Sequence, residues 1–99
     1  MTDARVLIAW QHYCQREYAE AEETCREILR DQPDDFGSWR LLGEICLVQE
    51  KHENSALAYR QAQQRSQLSH EDLNNLGVAL LACGKPDEAV AAYREALAL

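Results

Sequence analysis

The chain has 99 residues, of which 46% are hydrophobic and 27% charged, and its net charge at neutral pH is −7. This length suits one small domain over residues 1–99. An acidic surface repels phosphate backbones, which argues against a nucleic-acid partner, and no basic amphipathic stretch favours binding to a membrane.

Six amphipathic helices are predicted along the chain. Apolar or small residues recur at i, i+3, i+4 and i+7, the spacing of one helix face, as at Trp39, Leu42, Gly43 and Cys46. The first apolar run, residues 6–10, is too short for a signal-peptide core or a membrane span, so we expect a cytoplasmic location. In chain order, the helices are predicted over residues 2–15, 18–31, 36–49, 52–65, 70–83 and 86–99.

The pattern returns every 34 residues. Gly43 and Tyr59 recur as Gly77 and Tyr93, and the first unit has Ala9 at the glycine place. Self-similarity at this period is typical of stacked repeats, in which each unit covers its neighbour's apolar face. A glycine inside a helix costs about 1 kcal/mol relative to alanine, so its repetition indicates a close approach of the second helix. The chain therefore divides into units over residues 2–35, 36–69 and 70–99, the last one incomplete.

The helix boundaries carry matching signals. The segment 33–35, Pro-Asp-Asp, separates the first two units and offers an aspartate as N-cap. Ser69 with Asp72 resembles a capping box at the start of the fifth helix. Gly84 is suited to end that helix, and Pro86 suits the first turn of the next.

Four cysteines would allow two disulfides in a secreted protein. Cys25, however, takes the place that Tyr59 holds in the second unit, and Cys46 takes the place that Leu80 holds in the third. These are core positions, so we expect free thiols in a reducing compartment.

These features together resemble the tetratricopeptide repeat family. The second unit matches the family's pattern at Trp39, Leu42, Gly43, Tyr59 and Ala62, and the third at Leu76, Gly77, Ala89, Tyr93 and Ala96. The resemblance spans the whole chain and implies an all-α solenoid of three helix-turn-helix units in a right-handed superhelix. The sequence is also similar to the N-terminal repeat arrays of bacterial proteins in which such arrays precede a glycosyltransferase-like domain.

The residues needed for catalysis do not occur together. His12, His52 and His70 hold non-equivalent positions and have no second ligand at metal-binding spacing, and the sequence has no Gly-rich phosphate loop or Gly-x-Ser-x-Gly motif. We therefore expect no enzymatic activity, no cofactor and no metal site. His12 takes the place of Cys46 in the next unit, so we expect it to be buried or half-buried.

The resemblance implies a peptide-binding groove lined by the first helix of each unit. The family's groove positions carry over to Val6, Trp10, Tyr13, Arg40, Glu44, Leu47, Asn74, Val78 and Leu81. So many large apolar side chains in an exposed groove indicate that a partner covers them. We therefore predict a non-catalytic protein-interaction module that binds an amphipathic or extended peptide. Alternatively, Trp10 and Tyr13 pack inside an irregular first unit.

The resemblance to this family also implies two further kinds of function. The clamp that holds the terminal carboxylate of chaperones needs cations, but the matching places include Val6, Trp10 and Glu71, and Glu71 would repel a carboxylate. The alternative function is a partner- or substrate-presenting arm at the N-terminus of a larger enzyme, such as a glycosyltransferase-like protein.

The sequence stops at Leu99, inside the sixth predicted helix, whereas solenoids normally finish with a polar capping helix. We expect an uncovered apolar surface at Val90, Tyr93, Ala96 and Leu97. Either the chain is part of a longer array, which we favour, or the ends of two molecules pack together. In the second case Val90, Tyr93 and Leu97 drive self-association, because burying such side chains is favourable by roughly 1.5–3 kcal/mol each.

Overall fold

The computed structural model describes residues 3–99, which form six helices and no strand. Five of the helices match the predicted ones to within two residues at each end. The predicted start of the first helix, residue 2, lies outside the described residues. Within them the first helix begins at Arg5, whose backbone amide donates to the Asp3 carboxylate at 2.9 Å. In chain order the helices are α1 (Arg5–Cys14), α2 (Tyr18–Asp31), α3 (Phe36–Val48), α4 (His52–Gln63), α5 (His70–Ala82) and α6 (Pro86–Leu97).

Side chains cap α3 and α5 as the sequence predicts. The Asp35 carboxylate accepts a hydrogen bond from the Ser38 amide at 3.0 Å. At the equivalent place in the third unit, the Ser69 hydroxyl accepts from the Asp72 amide at 3.2 Å and donates to the Asp72 carboxylate at 3.0 Å. Each cap satisfies an amide that the first turn of a helix leaves without a backbone partner.

The turn between the two helices of each unit has the same backbone form. Its left-handed residue is Arg16 (φ 63°), Glu50 (φ 62°) or Gly84 (φ 76°), and these residues lie 34 positions apart. In the third unit the amide of the next residue, Lys85, donates to the Leu80 carbonyl at 2.9 Å. This bond and the left-handed residue end the helix in a Schellman-type turn.

The core is built where one unit meets the next. Cys25 and Cys46 are fully buried at the boundary between the first two units, as their equivalence to Tyr59 and Leu80 predicts. Tyr59 itself is fully buried at the next boundary. The second helix of each unit thus packs against the first helix of the following unit.

The stack bends toward its first helices. α3 contacts both α1 and α5, whereas within residues 3–99 the backbones of α2, α4 and α6 do not contact one another. Long side chains span the wider gap between α4 and α6, for example from Arg60 to Glu88 at 3.1 Å. The face formed by α1, α3 and α5 is therefore the concave one. None of the helices in the described part of the chain is long and apolar enough to cross a membrane.

Candidate functional site

Four of the predicted groove residues meet where α1 contacts α3. The rings of Trp10 and Tyr13 lie edge to face, with centroids 5.6 Å apart and planes at 87°. The guanidinium of Arg40 lies 6.0 Å from the centroid of the Trp10 ring. The Tyr13 hydroxyl donates to Glu44 Oε1 at 3.3 Å. We call these four residues the junction cluster.

The aromatic side chains of the junction cluster are half-buried. Trp10 and Tyr13 pack against the core between the first two units, and Tyr13 also meets the ring of Tyr18 edge to face at 5.7 Å. The predicted alternative, packing inside the first unit, fits the contacts of these rings with each other and with Tyr18, but both rings also pack against the second unit and neither is fully buried. Burial, together with the nearby Glu44 carboxylate, raises the pKa of Tyr13 to about 12. Tyr13 thus remains a hydrogen-bond donor at neutral pH.

Arg40 also connects the junction cluster to α5. One of its guanidinium nitrogens lies 3.4 Å from Asp72 Oδ1, and the Asp72 side chain is only 6% exposed. The sequence marked Asp72 only as a capping residue, so this second role was missed. The 32-residue separation, close to one period, could have indicated that the two side chains face each other across neighbouring units.

The remaining groove residues differ in exposure. Val78 and Leu81 on α5 are 45% and 55% exposed, and Asn74 on the same helix is also exposed. Val6 is half-buried. Leu47 is half-buried as well and packs against the core between the second and third units.

The surface of α6 is only partly as predicted. Leu97 is 87% exposed and Val90 is 45% exposed. The prediction was wrong for Ala96, which is 7% exposed, and only partly right for Tyr93, which is half-buried. These two residues pack within the third unit, where the Tyr93 ring lies against the backbone of Gly77.

His12 is half-buried, as predicted. Its side chain is 30% exposed, and Nδ1 lies 3.0 Å from Glu17 Oε1. Across residues 3–99, histidine, cysteine and acidic side chains form no group of three or more that could hold a metal ion.

The helical-repeat fold and the 34-residue period agree with the protein family whose models match this sequence. A tetratricopeptide repeat model matches residues 6–70, and a second model of the same repeat matches residues 71–99. The chain belongs to the tetratricopeptide repeat family. The resemblance seen in the sequence is thereby confirmed, and so is the all-α solenoid that it implies.

A solved structure shows the same tetratricopeptide fold. The crystal structure of YrrB, described as a TPR protein with an unusual peptide-binding site, superposes with a TM-score of 0.90 at 16% sequence identity. The match covers 96% of this chain and 49% of that one, so this chain spans about half the length of its structural relative. At this identity the likeness concerns the fold. No curated protein matches the sequence.

Proposed function

We propose that this tetratricopeptide repeat chain binds an amphipathic helix or an extended apolar peptide along its concave face. Membership of the family supports a protein-interaction module, since the fold generally serves as a non-catalytic scaffold. The observation that carries the proposal is the junction cluster, where side chains predicted to face a peptide meet across two units. The similar solved structure is itself described as having a peptide-binding site.

The junction cluster is suited to act as an anchor. Tryptophan, tyrosine and arginine are the residues that most often dominate the binding energy of an interface. Here Trp10 and Tyr13 are held by each other, by the hydrogen bond to Glu44 and by the overlying Arg40. Because these side chains are already ordered, they lose less conformational entropy when a peptide packs on them.

The exposed residues of α5 extend this surface. Val78 and Leu81 are exposed and hold, two periods later, the repeat positions of Trp10 and Tyr13. A peptide running along the concave face would cover the aromatic rings at one end and these aliphatic side chains at the other. Such a ligand needs apolar residues at both ends, which an amphipathic helix or an extended apolar segment provides.

The test uses peptides selected from a displayed random library on the immobilised protein, with affinities measured by fluorescence anisotropy. We expect Trp10→Ala and Leu81→Lys each to weaken binding by roughly thirtyfold, the effect of losing about 2 kcal/mol at an interface anchor. Leu57→Lys is the matched control, because Leu57 is 61% exposed and lies on α4, outside the groove. This control should bind as the unmodified chain does.

Two results would contradict the proposal. One is a selection that yields no binding peptide. The other is a set of selected peptides that bind the folded Trp10→Ala and Leu81→Lys proteins with unchanged affinity, which would place the binding surface elsewhere. Circular dichroism of each variant establishes that it is folded.

A further inference from the structure

We propose that copies of this chain associate head to tail, with α6 of one copy packed against α1 of the next. This goes beyond peptide binding in the groove. Two surfaces carry it: the head face, formed by Leu7 and Ile8 on α1, and the tail face, formed by Val90, Tyr93 and Leu97 on α6.

The head face has the apolar side chains of an internal unit boundary. Leu7 is 70% exposed and Ile8 is 47% exposed. One period later the same places are held by Leu41 and Leu42, which are 1% and 2% exposed because the preceding unit covers them. α1 therefore presents a surface that, inside the array, packs against a second helix.

The tail face shows the complementary half of such a boundary. Leu97 is 87% exposed, whereas Leu29, two periods earlier, is 9% exposed and packs against the second unit. Val90 is 45% exposed, and its equivalent in the second unit, Ala56, is 8% exposed. The side chains that lie open on α6 are thus those that a following unit covers elsewhere in the chain.

Contacts between units predict which residues meet across this junction. Suppose that the first unit of the next copy takes the place of a fourth unit. Each contact between the second and third units then predicts a contact between the equivalent residues of the third unit and of the next copy's first unit. The hydrogen bond from Asn75 to Tyr59, at 3.3 Å, then becomes a contact between Tyr93 and Leu7 of the next copy. Leucine replaces the asparagine, so this hydrogen bond is absent and the ring of Tyr93 packs against an aliphatic side chain.

An ion pair between units is also kept when each residue is replaced by its equivalent one period on. Arg60 on α4 pairs with Glu88 on α6 at 3.1 Å. One period on, these places are held by Arg94 and by Glu20 of the next copy, so the charges remain opposite. Charge complementarity in this register favours head-to-tail packing. Two tail faces packed together have no such register, because the tail face is complementary to a first helix.

The test measures self-association by sedimentation velocity from micromolar to millimolar concentration. A head-to-tail contact does not close on itself, so the average mass of the unmodified chain should keep rising with concentration. Leu7→Lys and Leu97→Lys, at the two most exposed positions of the faces, should each reduce the association constant about tenfold or more. Leu57→Lys, on neither face, should associate like the unmodified chain.

Mixing the two variants is decisive. The Leu7→Lys protein keeps an intact tail face and the Leu97→Lys protein an intact head face, so an equimolar mixture should form a one-to-one dimer at concentrations where neither variant alone associates. The proposal is overturned if the unmodified chain stays monomeric, if the mixture does, or if Leu57→Lys blocks association. It is also overturned if Leu7→Lys alone dimerises as strongly as the unmodified chain, since that result indicates contact between two tail faces.

The charge pair gives an independent measurement. Glu20→Arg alone and Arg94→Glu alone should each weaken association roughly two- to fivefold, as expected for an exposed ion pair. The double variant restores opposite charges across the junction and should regain the association of the unmodified chain. A double variant as weak as the single ones would count against this register.

Discussion

The backbone of Gly43 lies against the ring of Tyr59, so that a Cβ atom at Gly43 would be only 2.8 Å from Tyr59 Cδ2. The pair recurs one period later, where a Cβ at Gly77 would be 2.6 Å from Tyr93 Cε1. In both units the first helix lacks a side chain where the second helix places its aromatic ring. The glycine is therefore required by packing between helices.

The first unit fills the same volume differently. Ala9 holds the place of the glycine and Cys25 that of the tyrosine, and both are fully buried. In this unit the first helix has the Cβ atom of Ala9, and the second helix has no aromatic ring, because Cys25 replaces the tyrosine. The two positions are thus coupled through the space that they share.

Substituting the glycine should destabilise the protein. We expect Gly43→Ala to lower the free energy of unfolding by about 1–3 kcal/mol, because the ring of Tyr59 is held in a packed core and the added methyl group overfills it. Gly37→Ala is the matched control on the same helix, since a Cβ there has only Asp35 within reach, at 3.9 Å. The control should be stabilised by about 0.4–1 kcal/mol through reduced entropy of the unfolded chain. Urea unfolding followed by circular dichroism measures both, and changes of the same sign would refute the argument.

At the left-handed turns, by contrast, a substitution to glycine should stabilise the protein. Glu50 adopts φ 62°, a conformation that costs a residue with a Cβ roughly 1–2 kcal/mol. We expect Glu50→Gly to raise the free energy of unfolding by about 1 kcal/mol, and Gly84→Ala, at φ 76°, to lower it by a similar amount. Glu50→Ala retains the strained conformation without the charge, so it should leave stability nearly unchanged. If it stabilised as much as Glu50→Gly, the charge and not the backbone would be responsible.

The helices of this fold are predictable because two periodic patterns in the sequence indicate the same elements. The 3.6-residue spacing of apolar residues marks each helix, and the 34-residue repeat fixes the order of the helices. The left-handed residues of the first two turns were not predicted, because Arg16 and Glu50 carry no glycine signal. The repeat itself could have supplied them, since both lie at whole periods from Gly84.

The candidate site was predictable in position but not in contacts. Family positions placed Trp10 and Arg40 on the groove, and the structure brings them together. The pairing of Arg40 with the buried Asp72 depends on how two units stack, which a local pattern does not specify. Tyr93 was expected to be uncovered, yet packing on Gly77 within its own unit buries half of it.

The cysteines should differ sharply in reactivity. Cys14 is exposed and Cys83 partly so, whereas Cys25 and Cys46 are fully buried. Burial raises the pKa of Cys25 to about 12 and that of Cys46 to about 11, which suppresses the reactive thiolate. We expect Ellman's reagent to modify Cys14 and Cys83 in the native protein and all four thiols in denaturant. A variant with both Cys14→Ser and Cys83→Ser should react only once unfolded, and fast reaction of that folded variant would contradict the burial.

The same buried thiols should make stability fall at alkaline pH. The ordinary pKa of a cysteine is 9.0, and the folded chain raises that of Cys25 to about 12. Between these values the unfolded thiol has lost its proton while the folded thiol retains it, so the unfolded state binds fewer protons. The free energy of unfolding should therefore decrease with rising pH, by about 1.4 kcal/mol per pH unit for each such thiol.

Urea unfolding at a series of pH values from about 8 to about 11 tests this dependence. Cys25→Ala should be less stable at the lowest pH because it leaves a cavity, but its decline above pH 9 should be shallower by the contribution of one thiol. Tyr13→Phe should be shallower only above about pH 10, where the unfolded tyrosine begins to ionise. A Cys25→Ala protein with the same slope as the unmodified chain would show that this thiol ionises equally in both states.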